Sequence, residues 1–293
     1  MTATTIYEAL KWASSFLENA SREPKVAEIL IKHELSMTQA QLISSLRENM
    51  ASHTFRSYKA KIELHAQTGI PVQHLTGEET FFDRTFQVNA DVLIPRPETE
   101  ELVDHAIQTV KKKDWTDLTC VDVGTGSGII AITLALELGD TVEKMYATDI
   151  SDSALMIAKK NAGILNAPVD FFQGNFLSPL IDQGIKADIL VSNPPYIDRG
   201  EIGQMADTVK NFDPELALFA ENKGLLAYET ILEQAKAILT EEAVILFEIG
   251  YQQGEAVTDI IHSTFSKSNV QVLKDINGKD RVVLAEVENT VRL

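Results

Sequence analysis

Four short stretches of this chain carry residue types able to hold a nucleoside beside an amide. The first is Asp122-Val123-Gly124-Thr125-Gly126-Ser127-Gly128, which follows an apolar run and precedes a helical pattern. Glycines at a strand-to-helix turn admit positive φ and let a ligand approach the backbone, although a tight helix-packing turn asks for the same residues. The spacing narrows the ligand. A dinucleotide fingerprint places its third small residue three positions after the second glycine, and Ile129 stands there. No Lys-Ser or Lys-Thr pair follows the loop, so a Walker-type phosphate loop is excluded as well. The second stretch, "YATDIS", ends an apolar run at Asp149, where a carboxylate meets both hydroxyls of a ribose. The plainer role for Asp149 or Ser151 is to cap the next helix. In the third, "QGNFL", Asn175 can bond an adenine edge while Phe176 covers its face or simply fills core. The fourth is Asn193-Pro194-Pro195-Tyr196, directly after the apolar run "ADILVS".

Glycine loop, carboxylate, then amide with aromatic, at three successive strand ends, fit one adenosyl ligand lying across the lip of a sheet. A loop unsuited to pyrophosphate, together with a hairpin at the end of the chain, points to S-adenosylmethionine. Methyl transfer is an in-line displacement, and an amide nitrogen is a poor nucleophile, so positioning must supply most of the catalysis. At the fourth strand end the Asn193 side-chain oxygen can accept one hydrogen of an NH2 group and the Pro194 carbonyl the other. Pro194 and Pro195 keep the segment rigid and out of the sheet ladder, and Tyr196 is expected to pack on the flat acceptor. This scheme needs neither a strong base nor a metal. It suits any planar, conjugated NH2: adenine N6, guanine N2, cytosine N4 or a glutamine side chain.

The elements that must position these residues are legible from periodicity. Thr5-Ile6-Tyr7-Glu8 has capping-box form and opens a helix with Ala9, Leu10, Ala13, Phe16 and Leu17. Further helical runs are expected after Ser21, after Thr38 and from Ser52 to Thr68, the last stopped by Gly69 and Pro71. Aromatic and alternating residues around Phe81–Val88 predict a β-hairpin turning at Asp83-Arg84, followed by a helix from Glu98 to Lys112. From Leu118 onward, apolar strands alternate with helices, which specifies a parallel sheet covered on both faces. "VQVLKDI" and "DRVVLAEV" are separated only by Asn277-Gly278-Lys279, too short for a crossover, so the final strand must run antiparallel.

Composition bounds the partners. The chain has 293 residues, 44% of them hydrophobic, and a net charge of −17. Residues 1–75 hold 8 Lys and Arg against 7 Asp and Glu, leaving 18 against 36 beyond them. An acidic body of that kind is a poor non-specific partner for nucleic acid. No apolar run reaches bilayer length, and the N-terminal segment has no secretory pattern, so a cytoplasmic location without membrane association is expected. The single cysteine, Cys120, lies in an apolar strand and reads as a buried structural thiol.

On "LIPRPETEELVD" (Leu93–Asp104), "DVGTGSG", Asp149 and "NPPYI", the chain resembles class I S-adenosylmethionine-dependent methyltransferases. More narrowly, it resembles the protein-(glutamine-N5) methyltransferases that modify peptide chain release factors, over nearly its whole length. The resemblance implies an α/β class I (Rossmann-like) fold with a mostly parallel sheet and an antiparallel last strand. It implies a helical docking domain over 1–72, a hairpin linker over 73–97 and a methyltransferase domain over 98–293. Gly124, Thr125, Gly126, Ser127 and Gly128 would line the cofactor, with Asp149 on the ribose and Phe176 beside adenine. Asn193 would touch cofactor and substrate, and Asn193 to Tyr196 would hold the glutamine of a Gly-Gly-Gln loop. Asn175 stands where such proteins often carry Asp, and Asp213 where Glu is commoner, so the loop around Asp213 receives no role. The alternatives are an amino methyltransferase acting on RNA or DNA bases, disfavoured by the acidic body, and a non-catalytic adaptor, disfavoured by the intact loop, Asp149 and Asn193.

Overall fold

A computed structural model describes residues 4–205 and 207–289. The chain forms two compact units, one comprising the helices up to Glu78 with the short helix Asp207–Phe212, the other Glu79–Met205 and the chain from Asp213 onward.

In the helical unit, α1 (Ile6–Asn19) begins where the Thr5 side chain accepts the Glu8 N–H and the Glu8 carboxylate accepts the Thr5 N–H at 2.8 Å. Its buried stripe is Ile6, Ala9, Ala13 and Leu17, one face of a 3.6-residue period. The second helix, α2 (Lys25–Leu35), starts four residues after Ser21. Ser21 itself has φ +56, so the chain is still turning there. Thr38 caps α3 (Gln39–Ser45) in a second capping box. Then α4 (Ser52–Thr68) ends on Gly69 at φ +72, where an added Cβ would lie 2.9 Å from the Arg22 guanidinium. Tyr58 crosses the core of this unit and donates to the Ala27 carbonyl at 3.0 Å. Pro71, expected only as a stop, also opens a further helix, α5 (Val72–Thr76), because its fixed φ suits a helix entry.

At the start of the second unit the chain forms a two-stranded hairpin, β1 (Glu78–Phe81, its first residue the last of the helical unit) and β2 (Arg84–Gln87). Its turn is Phe82-Asp83, one residue earlier than expected, with both residues at positive φ as a two-residue hairpin turn requires. Phe81 and Phe86 point inward and anchor it in the core. Next, α6 (Pro97–Lys113) leads to β3 (Leu118–Val123), α7 (Ile129–Leu138), β4 (Val142–Asp149), α8 (Asp152–Leu165) and β5 (Asp170–Gln173). After them come β6 (Ala187–Ser192), the two-residue strands β7 (Ile197–Asp198) and β8 (Phe219–Ala220), and β9 (Leu239–Glu248), β10 (Ser268–Lys274) and β11 (Asp280–Glu288).

Seven strands form the main sheet in the order β10-β11-β9-β6-β3-β4-β5. The pairs from β9 to β5 are parallel, and β11 is antiparallel to both β9 and β10. Both faces are buried, so strand residues alternate between two cores. Cys120, Ile189, Val191 and Leu246 face one; Val121, Leu190, Ile245 and Phe247 face the other. Burial pushes the Cys120 thiol up to about 12, consistent with an inert structural group. The register matters most for the site. Val123 lies level with Thr148 on one side and Ser192 on the other, and Ser192 with Phe247. The residues that leave these strands therefore emerge at one lip, at the switch point where the chain turns from β3–β4–β5 back to β6.

Candidate functional site

A cavity of about 320 Å³ opens at this lip. Its floor is the loop between β3 and α7. Gly124 and Thr125 both donate to the Thr148 carbonyl at 2.9 Å, which ties the loop to the neighbouring strand. Gly124 (φ +72) and Gly126 (φ +56) have nothing within 4 Å of where a Cβ would stand, so the space above them is open to a ligand. Gly128 differs. A Cβ there would lie 2.9 Å from Ile132 Cδ1 and 3.1 Å from Ala158 Cβ, so its lack of a side chain lets α8 approach. It is not among the residues lining the cavity, whereas Gly124, Thr125, Gly126 and Ser127 are. Beneath the loop, fully buried Asp122 accepts the Thr125 hydroxyl at 2.6 Å and the Ala131 N–H at 3.1 Å. Burial, against those bonds, pushes its carboxyl up to about 7.

Asp149, Asn175 and Phe176 line the same cavity. The Asp149 carboxylate accepts the Gly126 N–H and the Ser151 N–H, each at 2.9 Å, one on each oxygen. Each oxygen keeps a further lone pair for a ligand hydroxyl. Burial raises the Asp149 pKa, and those same hydrogen bonds oppose the shift. The capping of α8 belongs to Ser151, whose hydroxyl accepts the Ala154 N–H at 3.2 Å. Phe176 adopts φ +50, a turn that brings it to the end of β5 with its ring half-buried against the sheet.

Asn193 and Pro195 also line the cavity. Ser192, the last residue of β6, donates its hydroxyl to the Val123 carbonyl at 2.6 Å, fixing this strand end against β3. The Asn193 amide donates to Thr99 Oγ1 at 3.2 Å, and Thr99 donates to Glu248 Oε2 at 2.7 Å. Pro194 is buried rather than presented to the cavity. Tyr196 does not meet the expectation of lying along the acceptor: it is absent from the lining, and its ring packs into the core beneath the sheet lip. Burial raises its phenol pKa well above the ordinary range. Its carbonyl accepts the Gln253 side chain at 3.0 Å, so Tyr196 anchors the turn from below.

Three site features escaped the sequence reading. Thr99 and Glu248 join Asn193. The third is an ion pair: the Arg96 guanidinium reaches the buried Asp213 carboxylate at 2.6 Å, tying the segment before α6 to the cavity wall formed by Pro214, Leu216 and Phe219. "LIPRPETEE" carried the signal for Thr99 and Arg96, as polar residues clustered just before a helix; nothing local marks Glu248. Among the described residues no group of His, Cys, Asp or Glu is arranged to hold a metal ion.

A mostly parallel seven-stranded sheet with an antiparallel last strand and a glycine loop at its lip defines a class I methyltransferase. The same architecture is similar to a methyltransferase from Pyrococcus furiosus (TM-score 0.50, 16% identity, covering 80% of this chain and 98% of that one). It is also similar to a T. thermophilus 16S rRNA N2 G1207 methyltransferase (TM-score 0.51, 14% identity, covering 72% and 50%). Residues 8–77 match the PrmC N-terminal domain family, and residues 102–212 match the methyltransferase small domain family. The chain is 45% identical over 283 residues to the release factor glutamine methyltransferase of Bacillus subtilis, covering 96% of this chain and 97% of that protein. It is 38% identical to that of Staphylococcus aureus, covering 94% and 97%. The chain belongs to the release factor glutamine methyltransferase family. Its cofactor is S-adenosylmethionine, and the cavity suits it: two glycines free of obstruction, a carboxylate with spare lone pairs, and apolar walls for an adenine.

Proposed function

We propose that this protein transfers the methyl group of S-adenosylmethionine to the side-chain amide nitrogen, N5, of the glutamine in the Gly-Gly-Gln motif of peptide chain release factors. Family membership over nearly the whole chain supports the acceptor. The observation that carries the chemistry is the Asn193 amide at the cavity wall with its NH2 committed to Thr99. That leaves Oδ1 to accept a hydrogen from a substrate NH2. The bound cofactor supplies an electrophilic methyl group on a sulfonium. Asn193 would hold the acceptor nitrogen, on a turn that buried Pro194 keeps rigid, while Gly124, Thr125, Gly126 and Ser127 would let the cofactor lie close to the backbone. Asp149 accepts the ribose hydroxyls, and Phe176 flanks the adenine. Pro195 borders the acceptor, and Tyr196 acts by bracing the turn. Gly128 serves the fit of α8 rather than the ligand.

We assign the docking of the release factor body to the helical segment 1–72, with 73–97 as connection and 98–293 as the catalytic part. The distinct compact unit, the family match over 8–77 and the near-neutral charge of this segment support the assignment. A nucleic-acid acceptor has the same planar NH2, but the 18 cations against 36 anions beyond residue 75 argue against it. Because release factors work on ribosomes, this reading places the protein in the cytoplasm; among the described residues no helix is long and apolar enough to cross a membrane. Incubation with methyl-labelled cofactor and release factor, wild type beside its Gly-Gly-Gln glutamine→alanine variant, tests the proposal. Label is expected only in the wild type, and equal labelling of both rejects the acceptor.

A further inference from the structure

An asparagine amide has two faces of nearly equal size, and rotating it by half a turn exchanges an acceptor for a donor. Only one face can serve a substrate NH2, so something in the protein must choose. We propose that Thr99 and Glu248 are positioning residues that hold the Asn193 amide with its NH2 turned into the protein and its oxygen toward the cavity. This rests on the role given to Asn193 above and extends it.

The placement follows from the sheet. β6 and β9 run parallel with Ser192 level with Phe247, so the next residues, Asn193 just beyond β6 and Glu248 at the end of β9, stand at the same height on adjacent strands. Thr99, in the first turn of α6, comes between them. Both partners are withdrawn from solvent, Thr99 at 1% and Glu248 at 2% exposure, so water cannot substitute for either.

The choice of face follows from counting protons. In its charged form Glu248 only accepts, so the Thr99 hydroxyl gives its single proton to Glu248 at 2.7 Å. What Thr99 has left to offer is a lone pair, which accepts only from a donor. Asn193 satisfies it with its NH2 at 3.2 Å. The flipped amide would set oxygen against oxygen in a buried place, with no partner for either. A buried acid two hydrogen bonds away thus selects which face of Asn193 the substrate meets.

Glu248 is held for this task. Tyr228 donates to its backbone carbonyl at 2.9 Å, and Arg281 donates to the next carbonyl, that of Ile249, at 3.3 Å. Burial lifts the Glu248 carboxyl to about 7, while Thr99, Arg281 and Asn193 favour its charged form and Glu98 opposes it. A glutamine at 248 would offer an NH2 of its own, allowing the Thr99 proton to turn toward Asn193 and the amide to flip.

The test uses the full chain with Thr99→Val, Thr99→Ser and Glu248→Gln, reading turnover on release factor, cofactor affinity, and hydrogen exchange of the Asn193 side-chain NH2 by nitrogen-15 NMR. Thr99→Val and Glu248→Gln are expected to lower kcat by about 10- to 100-fold, less than loss of a direct contact to the reacting group. KM for the release factor and the cofactor dissociation constant should move by less than about threefold, since Glu248 does not line the cavity and Thr99, which does, is only 1% exposed there. Thr99→Ser keeps the hydroxyl and should recover most of the lost turnover. In the wild type the Asn193 NH2 should exchange far more slowly than a solvent-exposed asparagine, and in Thr99→Val it should speed up. A wild-type NH2 that exchanges like an exposed one overturns the proposal without any variant, as does full kcat in Thr99→Val. The exchange readout needs no substrate. A wild type that fails to label release factor therefore sinks the functional reading alone, while slow or fast exchange still decides the amide's orientation.

Discussion

The two ends of the cavity are built on opposite plans. At the glycine loop the site is backbone: Gly124 and Thr125 bond the next strand, Gly126 bonds Asp149, and the ligand-facing surface is defined by side chains that are missing. At the Asn193 end it is side chain. One amide is oriented by a threonine 94 residues earlier and, through it, a glutamate on the neighbouring strand. Cofactor binding tolerates the first plan because a nucleoside needs room and a few acceptors. Aligning a weak nucleophile needs the second, since most of the rate comes from holding two atoms in line. The first end should therefore respond to mutation in affinity, the second in turnover.

The largest separation is expected from Asn193→Ala. Loss of the contact to the acceptor should lower kcat by about 10³-fold, roughly 4 kcal/mol of transition-state stabilisation, with the melting temperature nearly unchanged. A variant that turns over at more than a tenth of the wild-type rate would remove Asn193 from the reaction. Gly224→Ala should come next, and it probes the support of the same end. Gly224 sits at φ +80, where an added Cβ would lie 2.0 Å from the Tyr196 carbonyl oxygen and 2.7 Å from Gln253 Nε2. Because backbone is the obstacle, the Asn193–Tyr196 turn must move and its bond from Gln253 must break. Loss of about 2–4 kcal/mol in urea unfolding, with kcat down by at least tenfold, is expected from strain and a lost buried bond together. Wild-type turnover in a stable Gly224→Ala protein would show that the turn does not depend on this brace.

The same contrast explains what could be read beforehand. The glycine loop, Asp149 and the closing hairpin are local, and each announces its chemistry within a few residues. Only the end of the first hairpin strand was read two residues too long, because Asp275 leaves β10 to accept the Asn277 and Lys279 N–H groups at 2.9 and 3.0 Å and shape the turn. Thr99 and Glu248 were not legible. A threonine in the first turn of a helix and a glutamate in "LFEIG" are ordinary residues until strand order sets β9 beside β6. Tyr196 was misjudged for a related reason: an aromatic after two prolines reads as presented, whereas the turn folds its ring back into the core. Gly128 was grouped with the cofactor glycines because spacing alone does not distinguish a glycine open to ligand from one pressed against Ala158.

At the glycine-loop end, Asp149→Ala is expected to weaken cofactor binding by about 1–3 kcal/mol, the worth of hydrogen bonds to a charged group, with kcat at saturation little changed. An unchanged dissociation constant by calorimetry would return Asp149 to a purely structural role, bonding Gly126 and Ser151.

The smallest effect expected, from Ser151→Ala, divides the two roles that lie two residues apart. The sequence allowed either Asp149 or Ser151 to cap the helix. In the structure Ser151 accepts the Ala154 N–H at 3.2 Å, and Asp149 gives its two oxygens to Gly126 and Ser151 instead. Removing the hydroxyl leaves one N–H of the first turn of α8 without its partner, which costs about 1 kcal/mol of folding stability. The Ser151 backbone N–H that bonds Asp149 is untouched by that substitution, so the carboxylate stays oriented and cofactor affinity should hold. Paired denaturation and calorimetry on the two variants would then show opposite patterns: stability without affinity for Ser151→Ala, affinity ahead of stability for Asp149→Ala. If both variants lost affinity equally, cap and ligand contact would be one coupled unit, and the backbone plan of this end would extend to the start of α8.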